Sequence, residues 1–183
     1  MVKTQIGIKF PGEDTVLSWL KPEYREVIAL AIAESDRLGD HVVGTEHLLL
    51  GLIKQENSVA AQALKSVGVT LENCQAEIAK LRISNAQNRE FDNSFTPYAK
   101  QVIEKTLVFY RDINQPLDKV IGAESLLLAI IRKQDVITQE EDYTHYGAVQ
   151  VLQNLGVNLL ELTTQVLQIY SQESPGDDRL TAS

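Results

Sequence analysis

A chain of 183 residues that is 44 % hydrophobic, with five prolines and ten glycines, has the material for a packed core in one domain or two small intimate ones, and little for a disordered polymer. Its net charge of −8 and pI near 4.9 argue against nonspecific nucleic-acid binding, which needs cations to displace counterions from phosphates, and against an anionic membrane surface. A lone cysteine, Cys74, excludes an intrachain disulfide and fits a reducing compartment.

The opening MVKTQIGIKF has neither the apolar region nor the small-residue cleavage site of a secretion signal. No apolar run approaches the roughly 18 to 20 residues of a membrane span. The expectation is a cytoplasmic protein, or one of the plastid stroma from which a transit peptide has been removed. Ile6, Ile8 and Phe10 alternate with polar or small residues at the period of a strand. This segment is expected to lie as an arm in a groove of its own domain, or to pair with a partner chain.

From Leu20 the pattern turns helical. Tyr24, Val27, Ile28, Ala31, Ile32 and Leu38 form one stripe. Pro22 suits a first turn and Gly39 a C-terminal stop. Thr45 is the expected N-cap of a second helix. Its LLLGLI run is apolar nearly all round, so it belongs at the centre. A short third helix covers Val59 to Val67 and ends at Gly68. Thr70 then caps a fourth, with Leu71, Cys74, Ile78 and Leu81 on its inner face. Cys74 on that stripe reads as a buried thiol. RISNAQNREFDNS is polar, lacks apolar periodicity, and reads as a linker.

After the linker the chain repeats itself. FTPYAKQVIEKTL matches LKPEYREVIALAI, with Pro97 at an offset of 75 from Pro22. GAESLLLAI matches GTEHLLLGL at an offset of 78, and VLQNLGVNL matches ALKSVGVTL at 88. A period near 80 residues is longer than a solenoid's roughly 20 to 50, so a duplicated small bundle is expected. In the second copy Thr96 and Pro97 start a helix with Val102, Ile103, Thr106, Leu107 and Tyr110 on its stripe. Asn158 caps a last helix with Leu159, Leu162, Val166 and Tyr170 inward. The fold class is all-α: two four-helix repeats, eight helices, related by a pseudo-two-fold. The expected divisions are an extension over 1–19, a first repeat over 20–82, a linker over 83–94, a second repeat over 95–170 and a flexible acidic tail over 171–183.

Charge is uneven. Up to Lys133 the chain holds 17 acidic and 16 basic residues, whereas Gln134 to Asp178 holds eight acidic residues and no Lys or Arg. The ten residues added between the second and third helices of the second copy lie around DVITQEEDYTHY. Glu140, Glu141 and Asp142 stand there beside Tyr143 and Tyr146. Acids supply long-range attraction and tyrosines contact area with a polar tip, so this loop is either a partner-docking surface or a solvated, variable connection.

Nothing points to catalysis. No glycine is followed by Lys, so there is no phosphate-binding P-loop and no ATPase in this chain. His41, His47 and His145 lack the spacing of a zinc protease, and His47 reads as a capping or surface residue. No nucleophile motif is present. No enzyme activity, cofactor or metal is expected.

The residues LKP, RLG, VVGTEHLLLGLI and ALKSVGVTLENCQAEIAKL, with the second set FTPYAKQVIEKTL, IGAESLLLAII and VLQNLGVNLLEL, resemble the double-repeat N-terminal domain of Clp/Hsp100 chaperones from about Leu20 to Tyr170. The resemblance implies a mobile, non-catalytic module that receives adaptors and substrate proteins for an ATPase ring, some rings feeding a ClpP-type peptidase core. Partners would be a ClpC-like Clp ATPase, that peptidase core, or adaptor and substrate proteins. Some members read phosphoarginine through the Glu of the GTEH-like motif. By match this implies Thr45, Glu46 and Glu124 here. A carboxylate can accept two guanidinium hydrogens while a helix N-terminus receives phosphate. Ala123 and Ser125 stand where the first copy has Thr45 and His47, which departs from the pattern in the second site. First-turn dipole complementarity is the purely structural account of both glutamates. The native-looking start favours a free-standing accessory protein. The alternatives are a fragment of a ClpC- or ClpB-type chaperone, or the same fold binding an unrelated small ligand.

Overall fold

The computed structural model describes residues 20–40, 42–84, 95–111, 121–132 and 147–173. The expectations placed on Ile6, Ile8 and Phe10, on Tyr143 and Tyr146 with their acidic neighbours, on the linker beyond Ser84 and on the chain beyond Glu173 lie outside them; Ile83 and Ser84, placed in the linker, and Ser171 to Glu173, placed in the tail, are helical. Eight helices run through the described residues: α1 Pro22–Leu38, α2 Thr45–Lys54, α3 Val59–Ser66, α4 Leu71–Ser84, α5 Pro97–Arg111, α6 Ala123–Arg132, α7 Gly147–Asn154 and α8 Leu159–Glu173. The described residues hold no strands, only two isolated parallel bridges.

Local signals set the helix ends. Pro22 opens α1, where a missing amide donor costs nothing. Gly39 closes it at φ 74°, with its amide on the Asp36 carbonyl; a side chain there would strain the left-handed backbone. The Ser58 hydroxyl accepts from the Ala61 amide at the start of α3. Thr70 and Asn73 cap α4 reciprocally, each side chain accepting the other's amide, at 3.2 and 2.9 Å. The Thr96 hydroxyl accepts from Ala99, and Asn158 accepts from Leu160 and Glu161.

The start of α2 corrects the sequence reading. Gly44 is the N-cap and Thr45 the first helical residue. The cap is supplied by His47 instead, whose buried Nδ1 accepts the Gly44 amide at 2.9 Å. That fixes the proton on Nε2, which donates to Asp40 Oδ2 at 2.9 Å.

α2 and α6 are the two central helices. Leu48, Leu49, Leu50 and Leu52 of α2 and Leu126, Leu127 and Ile130 of α6 are fully buried. α2 packs against α1, α3, α4, α5, α6 and α7. A helix surrounded this way must be apolar nearly all round, so each copy carries its run of leucines.

The halves clasp each other symmetrically. Leu20, before α1, bridges Ile121, before α6; Val43, before α2, bridges Phe95, before α5. The Lys21 amide donates to the Ile121 carbonyl and the Thr96 amide to the Val43 carbonyl, both at 2.9 Å. Leu20 matches Phe95 and Val43 matches Ile121 in the repeat, so these are two copies of one contact. Buried Tyr24 exchanges a hydrogen bond with Thr106 across the seam at 2.9 Å, and burial pushes its hydroxyl pKa well up. On the rim Asn154 donates to Glu77 and Gln62 to Glu173.

A buried charge cluster joins α1 to α2. Glu34, 1 % exposed, accepts from Arg37 at 2.8 Å and Lys54 at 2.6 Å. Burial alone pushes its carboxyl up, but the hydrogen bonds from Arg37 and Lys54 outweigh it and hold it at about 2. A depressed folded-state value stabilises the protein above the ordinary carboxyl value near 4.5, and that contribution is lost as pH falls towards 2. Cys74 is buried as expected, and burial lifts its thiol to about 12, so it is inert as a nucleophile.

Candidate functional site

Each central helix begins with Gly-x-Glu. Gly44 has φ −94° and ψ 178°, which any residue adopts, so backbone freedom is not its reason. Room is. A Cβ on Gly44 would lie 2.4 Å from Glu46 Oε2, and one on Gly122 would lie 2.3 Å from Glu124 Oε2. In both copies the carboxylate folds back over the glycine that precedes the helix.

From there the two sites diverge. Glu46 turns its carboxylate towards the start of α7, where a Cβ on Gly147 would lie 2.2 Å from its Oε2. The Thr45 hydroxyl accepts the Ala148 amide at 3.2 Å. Thr45 and Glu46 therefore meet the N-terminus of a helix from the other repeat, whose free amides carry positive partial charge. The Glu46 side chain is 14 % exposed.

Glu124 is 0 % exposed, and neither of its carboxylate oxygens has a hydrogen-bond partner. Burial pushes its pKa up; the Lys21 charge opposes this, and the amides of Glu124 and Gly122 lie near enough to offset part of it without meeting hydrogen-bond geometry. Lys21 is itself paired with Glu23 at 3.9 Å and stands 6.0 Å above the Tyr170 ring.

The structure thus brings Thr45 and Glu46 together at α7 and places Glu124 in the other half, near Lys21. Glu140, Glu141, Asp142, Tyr143 and Tyr146 lie outside the described residues. Two neighbours escaped the sequence reading. Gly147 heads α7 where the first repeat has Val59, 88 residues earlier, a glycine-for-valine exchange that was visible. Lys21 stands where the second repeat has Thr96. Among the described residues no group of His, Cys, Asp and Glu side chains is arranged to hold a metal ion, and no helix is long and apolar enough to cross a membrane.

An unpartnered buried carboxyl has a measurable consequence. Its folded-state value is raised, so the native protein takes up its proton before the unfolded chain does and loses stability as pH climbs through that window. Glu124→Met, of similar length and apolar, is expected to raise stability by about 1 to 3 kcal/mol at pH 7.5. The gain should shrink at pH 4.5, near the carboxyl's ordinary value. Thermal melts of both chains at the two pH values check this, and an equal difference at both would contradict it.

A duplicated helical bundle whose two central helices each start with Gly-x-Glu defines a two-repeat, all-α module. Residues 20–140 match the family model described as the Clp repeat (R) N-terminal domain. The chain is 36 % identical over 152 residues to the negative regulator of genetic competence ClpC/MecB of Bacillus subtilis (strain 168), which covers 83 % of this chain and 17 % of that protein. It is 34 % identical over 149 residues to the chloroplastic chaperone protein ClpC1 of Arabidopsis thaliana, covering 81 % of this chain and 15 % of that one. The crystal structure of the N-terminal domain of the Clp protease-associated chaperone ClpD from Arabidopsis thaliana shares its fold, with a TM-score of 0.61 at 21 % identity over 84 % of this chain and 95 % of that one. The chain belongs to the Clp N-terminal domain family. It spans about a sixth of the length of these curated relatives, 17 and 15 %.

Proposed function

We propose that this chain is a non-catalytic docking module of an ATP-dependent Clp chaperone or protease. It receives adaptor or substrate proteins on behalf of a ClpC-like ATPase or a ClpP-type peptidase core, in the cytoplasm or the plastid stroma. It holds a guanidinium group of the incoming chain, with phosphoarginine the best fit, on the Gly-x-Glu carboxylate of the first repeat. The observation that carries the reading is Glu46. It is a partly exposed carboxylate set over a glycine, with a threonine hydroxyl beside it and helix N-termini close by. A carboxylate can accept two parallel guanidinium hydrogens, and helix N-termini favour the attached phosphate.

Fluorescence anisotropy with a labelled phosphoarginine peptide tests it, beside the same peptide carrying phosphoserine. The phosphoarginine peptide should bind more tightly. Glu46→Ala should weaken it about 10- to 150-fold, the loss of one charged hydrogen-bonded contact of about 1.5 to 3 kcal/mol. Equal affinity for the two peptides, unmoved by Glu46→Ala, would overturn the guanidinium reading.

A further inference from the structure

Duplication supplies two Gly-x-Glu carboxylates, and the obvious expectation is two ligands per chain. Three differences at matched positions speak against it. The first is access: the Glu46 side chain is 14 % exposed and Glu124 is 0 % exposed. The second is the neighbouring first-turn residue. Thr45 has a hydroxyl that reaches the amide of Ala148; its counterpart Ala123 is wholly buried and apolar. The third is the helix that packs across each central helix. α7 lies against α2 and α3 against α6. α7 begins with Gly147, which leaves the Glu46 carboxylate room that a Cβ would take. α3 begins with Val59, buried, at the same register. One carboxylate is therefore bordered by a hydroxyl and a glycine; the other follows an alanine, and the helix that packs across its own central helix from the other repeat opens on a valine.

We infer that only the first-repeat site is receptive: the module takes one guanidinium-bearing ligand per chain, at Glu46, while Ala123 and Val59 keep the Glu124 site closed. This rests on the guanidinium reading of the Gly-x-Glu motif. Glu124 is wholly buried and already lies near Lys21, so an incoming cation would have to displace packed side chains and compete with that charge before any contact forms. Charge in an apolar surround is costly to bring in and returns energy only when every hydrogen bond is made. Glu46 asks for no such opening. The second copy persists as part of the core, filling the space over Gly122, and the effective valence of the duplicated domain is one.

Isothermal titration of the full chain with free phosphoarginine tests this. A stoichiometry of one is expected. Glu46→Gln should weaken binding at least tenfold, and Glu124→Gln should leave affinity within about twofold. Opening the second site with Val59→Gly and Ala123→Thr together, in a chain whose far-UV circular dichroism stays helical, should raise the stoichiometry towards two. Two equivalents in the unaltered chain would overturn the single-site inference while leaving the guanidinium reading standing. So would loss of binding in Glu124→Gln with none in Glu46→Gln. No binding heat at any concentration would end the guanidinium reading, and the single-site inference with it. Should the double opening variant unfold, the stoichiometry and the two glutamate variants still decide.

Discussion

Truncating Leu49 or Leu127 to alanine should destabilise the protein by about 2 to 5 kcal/mol, the range for deleting most of a buried leucine from a core that cannot fully close the gap. The two residues hold matched positions in α2 and α6, 78 apart in the chain, and both are 0 % exposed. Each sits in a helix that packs against nearly every other helix, so no single neighbour can slide in to fill the void. For a chain of this size about 1 kcal/mol corresponds to roughly 2 to 4 °C of melting temperature. Losses on the order of 5 to 20 °C are therefore expected. Scanning calorimetry on both variants checks it. A drop under about one degree in both would contradict their place at the centre. A large loss in one alone would show that only one repeat carries the stability.

Gly51→Ala should be the next most damaging change, though on helix propensity alone it would help by about 1 kcal/mol. A Cβ at Gly51 would lie 2.5 Å from the Val27 carbonyl oxygen and 3.1 Å from the Ala31 amide nitrogen. These are backbone atoms of α1 and cannot rotate aside. The helices must separate, and α1 carries Tyr24, Val27, Ile28 and Ala31 into the core. Overpacking of this kind costs about 1 to 3 kcal/mol net. The second repeat offers an internal control, because Ala129 stands at the matched position of α6 and is only half-buried. Ala129→Gly should cost no more than about 1 kcal/mol. Denaturant unfolding of the two variants separates the cases. A Gly51→Ala chain as stable as the parent would mean that α1 and α2 do not need their close approach.

The same near-repeat that made the fold legible also concealed what differs between its halves. GTEHLLLGL and GAESLLLAI announce two central helices by composition. Nothing in either string says that Gly51 is pressed against a neighbouring carbonyl while Ala129 has space. Nor does it say that one glutamate keeps a path to solvent while the other has none.

Residues within about four of each other settled what could be read directly. The caps at Thr70, Thr96 and Asn158, the stop at Gly39 and the inward stripe through Leu71, Cys74 and Ile78 all use short-range hydrogen bonds or helical periodicity, so residue types at fixed spacing suffice. Helix number, duplication and membership of the Clp N-terminal domain family follow from those patterns. Tertiary structure decided the rest. Gly44 and Thr45 are both acceptable N-caps, and what assigned the role was the Thr45 hydroxyl's commitment to an amide 103 residues away together with the His47 ring beneath Gly44. The Glu34 cluster draws Arg37 from its own helix but Lys54 from the next, and only the crossing of α1 and α2 makes a buried carboxylate tolerable there. Glu46 and Glu124 share a motif and a local conformation, yet their exposure depends on which helix end lies across them. Solvent access belongs to the whole packed arrangement and not to any short stretch of chain.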